Sequence, residues 1–67
     1  MKYDRKNVFM FIALNSRFST EDLGRYSDMA LKRILVGISK DAKNEEVRVW
    51  ADGALANGDD WSQEKKR

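Results

Sequence analysis

Phe18-Ser19-Thr20-Glu21-Asp22-Leu23 and, four residues on, Ser27-Asp28-Met29-Ala30-Leu31 are two helix starts in close succession. Ser19 can cap a helix whose first turn carries Glu21 and Asp22, which complement the positive end of the helix dipole. Phe18 before the cap and Leu23 after it have the spacing of a hydrophobic staple. This helix is short and is expected to end near Tyr26. Ser27 then caps a longer helix to about Ile38. Its Leu31, Ile34, Leu35 and Ile38 fall at i, i+3, i+4 and i+7, which is one apolar face.

Upstream, Val8 to Leu14 is an unbroken apolar run. The expectation is a first helix from Tyr3 to about Arg17. An apolar run projects in every direction around a helix, so this one is expected to be buried on more than one side. The same run could be a buried strand, because periodicity does not separate the two at this length.

Downstream, Asn44 or Asp41 opens a last helix with Glu45 and Glu46 in its first turn. Val47, Trp50, Ala51, Ala54 and Leu55 form its inward face. Asn57-Gly58 is its stop, with Gly58 suited to a left-handed cap. Gly37 and Gly53 lie inside helices, where each costs up to about 1 kcal/mol against Ala. Close approach of a neighbouring helix is one reason to keep them.

The expected fold is therefore all-α: a small bundle of three main helices plus one short helical turn. Residues 1–58 form one domain, and 59–67 a polar tail that Trp61 can dock. The expected core is Val8, Phe9, Phe11, Ile12, Leu14, Phe18, Leu23, Leu31, Ile34, Leu35, Ile38, Val47, Trp50, Ala51, Ala54 and Leu55. The alternative is α+β, with Asp52-Gly53 as a hairpin turn between two short C-terminal strands.

Composition narrows the functions. The 67 residues include no His, Cys or Pro. A His-based triad, thiolate chemistry, soft-metal sites and disulfides are thereby removed. Ser27 with Lys32, or Ser39 with Lys40, could form a Ser-Lys dyad, but a domain of this size can hardly desolvate a lysine enough to make it a base. Asp41, Asn44 and Glu46 lack the alternating ligands and central Gly of a calcium loop. No enzyme activity, cofactor, metal or small-molecule substrate is expected. Thirteen basic residues against eleven acidic ones give a net charge of +2, neither a polybasic arm nor an acidic tail. The apolar run is far short of the roughly 20 residues a membrane span needs. Lys2, Arg5 and Lys6 ahead of it mimic a secretion signal, but no small-x-small cleavage site follows. The expected location is the cytoplasm, and no membrane partner is expected.

Two binding readings remain. In the first, the chain is a non-enzymatic interaction module, a regulator or inhibitor that docks on a larger protein or on a second copy of itself. Met29 and Val36 lie opposite the core face, flanked by Lys32 and Arg33, and Tyr26 and Trp61 add aromatic anchors. In the second, residues 20–38 are a helix-turn-helix that reads DNA with Arg25, Lys32, Arg33 and Lys40. Its weaknesses are a tight turn between Tyr26 and Met29 without the usual Gly, and a charge balance in 19–38 of three basic residues against three acidic ones.

Overall fold

A computed structural model describes residues 3–62. Five helices follow one another: α1 (Arg5–Leu14), α2 (Thr20–Leu23), α3 (Asp28–Asp41), α4 (Glu45–Ala56) and α5 (Gly58–Ser62). Three are of ten or more residues and two are single turns, and the described residues include no strand. The chain is a small all-α bundle. Val8 to Leu14 and Val47 to Ala51 are helical, which disposes of the strand and hairpin alternatives.

Local chemistry sets most boundaries. The Asp4, Ser19, Ser27 and Asn44 side chains each accept a backbone N–H, from Asn7, Asp22, Ala30 and Glu46 respectively, at 2.7–3.2 Å. Asn44, and not Asp41, is therefore the cap of α4. α1 ends three residues before the expected Arg17. Asn15 Nδ2 donates to the Phe11 carbonyl at 2.9 Å, and Ser16 Oγ to the Ile12 carbonyl at 2.6 Å. These side chains offer the last carbonyls an alternative to helix continuation. α2 stops at Leu23, earlier than expected. α3 runs three residues past Ile38, because Ser39 spends its hydroxyl on Asp52 of α4, at 2.6 Å, and not on its own backbone.

α3 and α4, joined by a three-residue connection at 42–44, form an antiparallel hairpin that makes the largest share of the packing. α1 packs against α3 and α2, and reaches α4 through Phe11 on Trp50. Val8, Ile12, Leu23, Leu31, Leu35, Ala51, Ala54 and Trp61 are fully buried. Phe9, Phe11, Phe18, Ile34, Ile38, Trp50 and Leu55 pack around them half-buried. Phe11 stacks on Trp50 with centroids 4.3 Å apart, and Tyr3 meets the same indole edge-on at 5.0 Å.

Two expectations about α1 fail together. It is not buried all round, and Leu14 is not core: Leu14 is 83% exposed and Met10 50%. One layer of hairpin can cover only the Val8–Ile12 side of the helix, so the residues opposite remain in water.

The C-terminus also departs from expectation. Gly58 does not adopt a left-handed conformation, and the chain re-enters helix there. The cause is Trp61, whose ring is fully buried and whose Nε1 donates to the Ala54 carbonyl at 2.8 Å. α5 thus closes the end of α4. Of the expected polar tail, 63–67 lie outside the described residues, as does Lys2.

Gly53 has its reason in a side chain. A Cβ there would overlap the Tyr3 hydroxyl and lie 2.7 Å from Tyr3 Cζ. Gly37 has no such neighbour within 4 Å. Gly53→Ala should therefore destabilise by about 1 kcal/mol, losing the Tyr3–Trp50 contact. In a Tyr3→Ala background the same change should stabilise by up to about 1 kcal/mol through helix propensity. Urea unfolding of the four variants checks this. A stabilising effect in both backgrounds would show that Tyr3 does not press on Gly53.

Candidate interaction face

The solvent side of α3 carries Met29, Arg33, Val36 and Lys40 at i, i+4, i+7 and i+11, a straight stripe along the helix. All four are exposed, Met29 by 68% and Val36 by 41%. Neither apolar residue packs beneath α1 or against Trp61. The acids of α3, Asp28 and Asp41, sit at its two ends, off the stripe. Asp28 pairs with Arg5 of α1, whose guanidinium also lies 5.2 Å from the Phe9 ring centroid. The face is therefore apolar and cationic, with no acid among its four residues.

The other candidate residues divide. Lys32 is half-buried, with its stem against Gly58 and its ammonium 6.0 Å from the Trp61 ring centroid. It fastens α5 to α3 beside the stripe. Tyr26 is half-buried and meets Phe18 edge-on at 5.6 Å. Arg25 is exposed in the turn before α3. Trp61 is fully buried, so it is a core residue and presents no ring to a partner.

The helix-turn-helix geometry needs one correction. Because α2 ends at Leu23, the turn is Gly24–Ser27, four residues that begin with a glycine, and not the short, glycine-free turn expected. Against this, α2 is a single turn of four residues, and its Glu21 and Asp22 are both exposed.

The serines considered for catalysis have other work. Ser27 caps α3 and Ser39 donates to Asp52. Asn44, considered as a cation ligand, caps α4. Among the described residues no three acidic side chains gather where a metal could be held.

A second feature escaped the sequence reading. An open groove of about 570 Å³ runs between the end of α1 and the α3–α4 connection. Phe18, Ile34, Ile38 and Val47 line it, and Asn15, Asp41 and Lys43 contribute polar groups. Gly37 lines it too, and a Cβ there would meet nothing within 4 Å.

No known protein family, curated protein or solved structure matches this chain.

Proposed function

We propose that this chain is a small non-enzymatic interaction module, a regulator or inhibitor that docks on a larger protein through the outer face of α3. The observation that carries the proposal is Met29 and Val36 held in water on one stripe of α3, alternating with Arg33 and Lys40. Exposed apolar side chains inside a polar rim are the usual make-up of a docking patch, and Met adapts to irregular partner surfaces. A cytoplasmic setting belongs to the same proposal and rests on the absence of Cys. No helix among the described residues is long and apolar enough to cross a membrane.

Capture from native lysate on the immobilised full chain tests the proposal. A protein retained by the wild type should be lost with Met29→Asp, retained within a few-fold by Arg33→Ala, and only mildly sensitive to salt. Equal retention by Met29→Asp and wild type would remove the face from the interaction.

DNA reading by 20–38 is the second reading. It is favoured by the four-residue turn with Gly24 and by the basic residues of α3. It predicts the reverse weighting: Lys32→Ala and Arg33→Ala weaken binding, Met29→Ala matters little, and affinity falls steeply with salt.

A further inference from the structure

α4 carries a second solvent-facing stripe, Glu45, Val49, Asp52 and Ala56, at the same i, i+4, i+7, i+11 spacing as the α3 stripe. All four are exposed, Val49 by 56%. Read along the chain, α3 presents apolar, basic, apolar, basic, and α4 presents acidic, apolar, acidic, apolar. Laid antiparallel, the two stripes match at every position. Lys40 comes opposite Glu45, Val36 opposite Val49, Arg33 opposite Asp52, and Met29 opposite Ala56.

We infer that the outer face of α3 is covered, at high concentration, by the outer face of α4 from a second copy of this chain. The inference rests on reading the α3 stripe as an interface and names its occupant. Within one molecule the two stripes do not meet: the hairpin joins the sides of both helices that carry Leu31, Leu35, Ala51 and Ala54, and Asp52 reaches its own α3 at Ser39, off the α3 stripe. The ladder therefore forms only between molecules. Each stripe spans eleven residue steps, about 16 Å of helix, so the contact is small and the association weak. It is also head-to-tail. One copy of a pair keeps a free α3 face and the other a free α4 face, so further copies add or a ring closes. Opposite charges at two of the four positions fix the antiparallel register. A nucleic acid would take Arg33 and Lys40 but leave Met29 and Val36 in water.

Sedimentation velocity of the full chain, from micromolar to millimolar at low salt, tests this. The mean mass of the wild type should rise above that of the monomer with concentration and fall back as salt is added. Arg33→Glu alone, or Asp52→Lys alone, should weaken association about tenfold, since each turns an attraction into a repulsion. An equimolar mixture of the two variants should recover it, because the carboxylate introduced on one α3 then meets the ammonium introduced on the other α4. Lys40→Glu and Glu45→Lys form a second such pair, which keeps the test valid if loss of the Ser39–Asp52 bond unfolds the Asp52 variant.

A wild type that stays monomeric throughout, or two folded reversals that do not recover association when mixed, would overturn the inference. If the wild type is monomeric while Met29→Asp still loses a captured protein, self-pairing fails and docking on a larger protein stands. If the ladder forms and nothing is captured, the opposite holds.

Discussion

Trp61→Ala is expected to unfold most of the protein at room temperature. Trp61 is the largest fully buried side chain, and truncating such a residue costs about 3–5 kcal/mol in transfer and cavity terms. A domain of roughly this length has only a few kcal/mol of net stability. The indole also donates to Ala54, among the last carbonyls of α4, where backbone donors run short at a helix end. Trp61→Phe should be milder, about 1–2 kcal/mol, because it keeps most of the apolar volume and Asn57 N–H still reaches Ala54, at 3.2 Å. Thermal melts followed by far-UV circular dichroism measure both. If Trp61→Ala melts within a few degrees of wild type, α5 is not part of the folded core.

Leu35→Ala is expected to cost about 2–5 kcal/mol, while Val36→Ala beside it should stay within about 0.5 kcal/mol of wild type. Leu35 is fully buried at the centre of the bundle, and Val36 is 41% exposed on the outer stripe. Adjacent positions on a helix point about 100° apart, so the contrast reads the rotation of α3 directly. The reverse order, with Val36→Ala the more damaging, would mean that α3 is turned on its axis. The Met29 stripe would then face the core, and both interaction proposals would lose their surface. Urea midpoints for the two variants decide it.

The parts of this fold that announce themselves locally are the ones the sequence discloses. Ser19, Ser27 and Asn44 are short polar side chains ahead of acidic first turns, and all three are caps. Leu31 and Leu35 follow from a single-faced period and are buried. The misses are of another kind. Leu14 is apolar and belongs to an apolar run, yet whether it is covered depends on how many layers the bundle has, which no local pattern records. Asn57-Gly58 has the composition of a helix stop. The chain instead turns back into α5 because a tryptophan three residues on finds a cavity and an acceptor in α4, a tertiary reason. The α3 stripe was legible from the wheel, as the side opposite Leu31 and Leu35. Its match to Glu45, Val49, Asp52 and Ala56 emerges only when both outer faces are known to be in water.

The central claim is that the outer face of α3 meets protein and not nucleic acid. The most direct test is the two-dimensional amide NMR spectrum of the labelled full chain, recorded alone and with a mixed-sequence DNA duplex at low salt. Amides 25–40 are expected to keep their positions when DNA is added. Shifts confined to 25–40 and reversed by added salt would contradict the claim, and would place Arg25, Arg33 and Lys40 on phosphates.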